Sequence, residues 1–152
     1  MNKVKTTLVS AFPGTGKTHY CNEDLSFLPV EWCIDSDSSK FDKSEFPKNY
    51  IEHIKNNIGK VVYIFISSHE DVRKALVDNC LNFTLVYPDI SLKDEYLKRY
   101  KERGSAEGFI KLLDENWDDW ITQLQNQKEC KHIVLKSNQF ISNVIDRKSE
   151  CV

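Results

Sequence analysis

The stretch Thr6-Thr7-Leu8-Val9-Ser10-Ala11-Phe12-Pro13-Gly14-Thr15-Gly16-Lys17-Thr18 decides how this chain is read. Its first part, residues 6–10, is a short β-branched and apolar run that predicts a strand. Residues 16–25 follow as a helix. The turn between them holds Gly14 and Gly16, two of the chain's five glycines. Glycine lets a backbone curl around an anion with no Cβ in the way. The amides of residues 14–18 can then point at phosphate oxygens, and the helix starting there adds its positive end.

Residues 11–18 fit the P-loop pattern G-x-x-x-x-G-K-[ST], with Ala11 in place of the first glycine. Pro13, Gly14, Thr15 and Gly16 make the cradle. Lys17 reaches the β and γ phosphates as a point charge, and the Thr18 hydroxyl can ligate Mg²⁺. The pattern points to a nucleoside triphosphate and leaves the fate of its γ phosphate open.

Outward from the loop, strands and helices alternate. Residues 32–34 read as a strand ending at Asp35. Ile51, Ile54 and Ile58 recur at helical spacing, which predicts a helix over 48–58 stopped by Gly59. The continuous apolar run 61–66 suits a strand buried on both faces. A helix over 70–81 and a strand over 83–87, stopped by Pro88, come next. Helices over 91–103 and 106–127 flank Gly104; the second carries the apolar stripe Phe109, Leu113, Trp117, Trp120 and Leu124. A last strand over 132–135 precedes a short helix holding Phe140, Val144 and Ile145. This order predicts an α/β three-layer sandwich with a five-stranded, mainly parallel sheet. Such sheets bind ligands at the carboxyl ends of their strands.

Asp35 and Asp37 stand two residues apart at one of those ends, so an extended backbone points both to the same side. One could hold Mg²⁺ through water, and the other could take a proton from an attacking hydroxyl or orient an acceptor. An Asp/Ser-rich turn that caps the next element is the plain alternative.

The chain has 152 residues, enough for one domain and too few for two comfortable ones. Hydrophobic residues make up 40% and charged residues 29%, the balance of a globular protein rather than a disordered tail. The net charge of −2 argues against a generally basic nucleic-acid coat and leaves room for a local positive cleft. The longest apolar run is too short to span a membrane, and the first residues lack the apolar core of a secretory signal. Five cysteines fall at irregular spacing, which suggests free thiols in a reducing cytoplasm rather than a zinc site or a disulfide framework.

A P-loop on the first strand with Asp-x-Asp after the second resembles the small P-loop kinases, the adenylate kinase, shikimate kinase and gluconate kinase group. The overall impression is similar to the short nucleotide-kinase-like proteins of bacteriophages and their Gram-positive hosts. The resemblance implies one kinase-type domain over residues 1–152, with a lid at roughly 91–127 and Mg-ATP as phosphoryl donor. It implies that Arg73 grips the acceptor's phosphate or carboxylate, a task that suits a guanidinium fork. It further implies that Arg99 and Arg103, one helical turn apart, close over the phosphates and stabilise charge that develops in transfer. A solvated helix face is the other reading of these arginines. Lys136-Ser137-Asn138 falls where the group places its adenine-contacting loop. The chain departs from the pattern at Ser67-Ser68-His69, where many P-loop proteins carry a carboxylate after the third strand.

The expected activity is therefore ATP-dependent phosphoryl transfer to a nucleoside monophosphate or nucleoside, in the cytoplasm of a bacterium or phage-infected host. The catalytic residues would be Lys17, Asp35, Asp37, Arg99 and Arg103. Two rivals stand beside it: a polynucleotide 5′-hydroxyl kinase, disfavoured by the acidic balance, and an ATP-binding regulator without turnover.

Overall fold

The computed structural model describes residues 5–16, 31–36 and 41–144. Five strands, β1 (Thr7–Ala11), β2 (Glu31–Asp35), β3 (Val61–Ser67), β4 (Thr84–Pro88) and β5 (Lys131–Leu135), form one sheet in the order β2-β3-β1-β4-β5. Every pairing is parallel; Leu8 sits beside Ile64 and Val9 beside Thr84. The helices are α1 (Lys48–Asn57), α2 (Glu70–Asp78), α3 (Lys93–Glu102), α4 (Glu107–Gln125) and α5 (Ile141–Val144).

The centre of the sheet is buried on both faces, which is why β3 reads as an apolar run: all seven of its residues are buried. Alternate residues serve two cores. Leu8, Ile64, Ile66 and Leu85 meet α1 to α4 through Tyr50, Ile54, Leu76, Tyr96 and Trp117. Val9, Tyr63, Phe65 and Val86 meet Leu135 and Ile141 on the opposite face. Period-two alternation in the strands thus separates the layers. Residues 17–25 of the helix predicted over 16–25 lie outside the described residues.

Several element ends differ from the expectation for identifiable reasons. Pro88 does not stop the fourth strand but is its last residue, paired with Leu135 at the end of the ladder, where its missing N–H does little harm. Helix α3 starts at Lys93 because a short 3₁₀ turn, Ile90–Leu92, comes first. That turn is capped by Asp89, whose Oδ1 accepts from the amide and hydroxyl of Ser91. Helix α2 ends at Asp78 because Cys80 takes a left-handed conformation, with φ of 56°. On α4 the buried stripe is Leu113, Trp117, Ile121 and Leu124. Both Trp120 and Ile121 fit the 3.6-residue period after Trp117; the structure buries Ile121 and leaves Trp120, expected in the stripe, half-buried. The last helix is a single turn, and Phe140 precedes it with 39% of its surface exposed.

The cysteines divide. Cys80 and Cys130 are free thiols, but Cys33 is disulfide-bonded, so the expectation of free thiols throughout is corrected. Irregular spacing along the chain says nothing of which Cα atoms come close enough in space to be bridged. Among the described residues, no helix is long and apolar enough to cross a membrane.

Candidate active site

A cleft of about 1150 Å³ opens at the carboxyl ends of the strands. Pro13, Gly14 and Gly16 from the loop after β1 line it, with Asp35 and Ser36 after β2 and residues 67–71 after β3. Arg73 of α2, Arg99 and Arg103 at the end of α3, and Phe109 and Trp120 of α4 complete the walls. The structure therefore brings Asp35, Arg73, Arg99 and Arg103 to one cavity with the glycine loop. Lys17, Thr18 and Asp37 lie outside the described residues.

The loop is built from its carbonyls outward. Phe12 O accepts the hydroxyl of Thr15 at 2.8 Å, and Pro13 O accepts that of Tyr100 at 2.8 Å. Gly14 O accepts from Arg99 Nη1 at 2.9 Å, and Thr15 O accepts the amide of Ile141 at 2.9 Å. Four successive carbonyls are thus tied to donors on the scaffold. The amides of Gly14, Thr15 and Gly16 have no hydrogen-bond partner among the described residues. Amides presented by a loop whose carbonyls are held elsewhere make an anion-binding concavity. Thr15 contributes through its backbone; its buried side chain is part of the loop's own structure.

Close packing dictates the two glycines. Gly14 has φ of +87°, and a Cβ there would come within 2.8 Å of the Tyr100 ring and 3.3 Å of the Tyr96 ring. Gly16 has φ of +94°, and its Cβ would meet Phe140 at 3.1 Å. The cradle is clamped between α3 and the segment after β5. The Tyr96 hydroxyl, buried against this clamp, has no hydrogen-bond partner among the described residues, and burial pushes its pKa up to about 12.

Arg99 is the centre of the clamp. Its guanidinium carbon lies 4.2 Å from the Tyr96 ring centroid and 4.0 Å from that of Phe140. Besides Gly14 O, it donates through Nη2 to Glu95 at 2.9 Å and to Gln139 O at 3.2 Å. Glu95 also accepts from the Ser137 hydroxyl and the Asn138 amide. Burial works to raise the Glu95 pKa, but those hydrogen bonds and the Arg99 charge outweigh it and hold the carboxyl below its ordinary range. Ser137 and Asn138 thus join the loop after β5 to α3. Arg103 is more open: its Nε donates to Ser105 Oγ at 3.0 Å, and its guanidinium carbon stands 5.0 Å from the Tyr100 ring centroid.

Arg73 is a buried cation, only 5% exposed. Its Nε donates to Ser68 O at 2.9 Å and its Nη1 to Gln127 Oε1 at 2.6 Å. No carboxylate lies within ion-pair distance of it among the described residues. Desolvation lowers its pKa, with the charge of Glu70 acting against that. A half-satisfied buried guanidinium on a cleft wall suits an incoming oxyanion.

Where a carboxylate after β3 was missing from the sequence, the structure has Ser67, whose Oγ accepts the amide of His69 at 3.3 Å. Sequence reasoning gave His69 no role and did not single out Glu70 or Asp71, yet all three line the cleft. Their place just past a strand's carboxyl end was the available signal. Among the described residues, no three His, Cys, Asp or Glu side chains gather into a metal cage. Mg²⁺ that arrives with a nucleotide needs no such cage: one or two carboxylates, phosphate oxygens and water suffice, and Asp35 stands in the cleft.

No family model and no curated protein matches the chain. Among solved structures it is similar to polyphosphate kinase 2 from Arthrobacter aurescens TC1, with a TM-score of 0.54 at 9% sequence identity. The likeness covers 89% of this chain and 62% of that one, so this chain matches less than two thirds of its neighbour's length. At that identity the likeness is one of fold, the P-loop kinase-type α/β fold.

Proposed function

We propose that this chain transfers the γ phosphoryl group of ATP to a small acceptor, a nucleoside monophosphate or nucleoside. The observation that carries the reading is the loop after β1, with its carbonyls held by the scaffold and its amides without a partner among the described residues, on a cleft that Asp35 and three arginines also line. In this reading Lys17 and the amides of residues 14–18 hold the donor phosphates. Thr18 and Asp35 serve Mg²⁺, whose charge would offset that of the phosphates. Asp35 or Asp37 takes the acceptor's proton, and Arg73 holds an acceptor anion. Arg103, more exposed than Arg99, approaches the transferring group. Arg99 acts on the same group through the loop that it braces.

The arginines also support a second donor. The fold neighbour's name is that of a polyphosphate kinase, and a linear phosphate chain would find cationic partners along the same cleft. The test gives purified protein either Mg-ATP or Mg-polyphosphate, with a pool of nucleosides, monophosphates and a short oligonucleotide. Product on a nucleoside or monophosphate from ATP is expected, and it is expected to disappear in Lys17→Ala. Product from polyphosphate alone moves the assignment to that donor, and product on the oligonucleotide moves it to a polynucleotide kinase. Saturable ATP binding with no product on any acceptor makes the chain a nucleotide-binding regulator.

A further inference from the structure

A run of hydrogen bonds crosses the carboxyl ends of β1, β3 and β2 beneath the cleft. Ser10 Oγ donates to Ser67 O at 3.0 Å. The Ser67 amide donates to the hydroxyl of Tyr50 at 3.2 Å, and that hydroxyl donates to Ser36 O at 2.7 Å. Ser36 Oγ in turn hydrogen-bonds His53 Nε2 at 2.9 Å. Tyr50 is fully buried, and Ser36 is 4% exposed.

Tyr50 thus joins backbone groups of two strands with one oxygen, its proton going to β2 and its lone pair to β3. Ser36, the residue after Asp35, is thus held through both of its backbone groups, its carbonyl by Tyr50 and its amide by Phe65 O, to which it donates at 3.0 Å. The Tyr50 ring is fixed independently, edge-on to Phe41 at 4.9 Å and stacked with Phe46 at 5.7 Å. Removing only the hydroxyl would leave that ring in place and strand a buried carbonyl and a buried amide. Ser36 could then shift and carry Asp35 with it, and a shift of about 1 Å at a reacting group costs on the order of 100-fold in rate.

We propose that Tyr50 is a positioning residue that sets Asp35 against the phosphate loop, through Ser67 and Ser10 on one side and Ser36 on the other. The proposal rests on the phosphoryl-transfer reading for its kinetic consequence and on geometry alone for its structural one. The geometry gives the end of β3 a role beyond its own ladder: the Ser67 amide is an anchor for the neighbouring strand.

The test compares full-length wild type, Tyr50→Phe, Asp35→Asn and the double variant, by kcat, acceptor KM, Mg-ATP affinity and the ¹³C carboxyl resonance of Asp35. Tyr50→Phe is expected to keep Mg-ATP affinity within about twofold, lower kcat roughly 10- to 100-fold and move the Asp35 resonance. Adding it to Asp35→Asn should cost nothing further, since residues acting through one another are not additive. Wild-type kcat in Tyr50→Phe, or a fully additive double variant, overturns the proposal. If the wild type transfers phosphate to no acceptor, the functional reading fails by itself. The Asp35 resonance then decides the brace: movement in Tyr50→Phe supports it, and an unmoved signal ends it. Should Tyr50→Phe not fold, His53→Ala frees the far end of the same chain, and an unmoved Asp35 resonance there also overturns the proposal.

Discussion

Arg99 donates through Nη1 to the carbonyl of Gly14, 2.9 Å away in space and 85 residues away in the chain. The contact fixes the peptide between Gly14 and Thr15, because a carbonyl held by Arg99 turns the Thr15 amide the opposite way. The same guanidinium serves Glu95 and Gln139 and lies between two rings. Arg99→Lys cannot reproduce this fork, since an ammonium is a compact charge without a stacking plane. Both Arg99→Ala and Arg99→Lys are therefore expected to weaken ATP binding about tenfold or more, the effect of roughly one charge-assisted hydrogen bond. Calorimetric titration checks this; lysine restoring wild-type affinity would show that charge alone suffices.

Gly14 and Gly104 make a controlled pair. Both have positive φ, +87° and +78°. A Cβ at Gly14 meets the Tyr100 ring at 2.8 Å, whereas one at Gly104 meets nothing within 4 Å. Gly104→Ala should lose only the conformational cost, about 1 kcal/mol, and keep ATP binding. Gly14→Ala adds displacement of the ring whose hydroxyl holds Pro13 O, so it should lose ATP binding as well as stability. Thermal melts with and without ATP separate the two, because only a competent loop gives a ligand-dependent rise.

The difference between these glycines marks what a single sequence can convey. The order of elements was legible because it is local: β-branched runs, the 3.6-residue spacing of Ile51 and Ile54, and glycines at helix ends each act over a few residues. The loop after β1 was legible because its glycines and lysine are contiguous. The clamp around it was not, since Tyr96, Arg99, Tyr100 and Phe140 reach it only after the fold brings α3 and the segment after β5 together. The sequence marked Arg99 as a charge at the right helical position but carried no sign of Gly14 O as its partner. Tyr50 fell inside the predicted helix over 48–58 without being singled out, because burial and a bridging hydroxyl leave the same trace in a hydropathy pattern.

Glu95 sets a pH dependence for the clamp. Its carboxyl is held below the ordinary value of 4.5, so its folded pKa is lower than its unfolded one. A group shifted in that direction adds stability above the unfolded pKa and loses it as pH falls through the folded pKa. The melting temperature should therefore decline below about pH 4.5, and Glu95→Gln should flatten part of that decline while lowering stability at neutral pH. Melting curves over pH 3–7 for the two proteins test it. Parallel curves would mean that Glu95 contributes nothing to the acid limb.

Arg73 distinguishes the two acceptor classes. It is a buried guanidinium with two neutral acceptors and no carboxylate within ion-pair distance among the described residues. Desolvation makes its charge costly, and an anion arriving at the cleft wall would relieve that cost. Arg73→Met keeps much of the buried volume and removes the charge. If the acceptor is a nucleoside monophosphate, its KM should rise about tenfold or more, the loss of roughly one charge-assisted contact, with ATP affinity unchanged. If the acceptor is an uncharged nucleoside, its KM should stay near wild type, and only a modest loss of stability from the unpaired Ser68 carbonyl and Gln127 amide should remain. A rise in KM for both classes would place Arg73 in support of the cleft wall itself rather than on the acceptor's phosphate. A fall in ATP affinity would move it to the donor side. Steady-state kinetics with matched nucleoside and monophosphate pairs read out all three cases in one set of measurements.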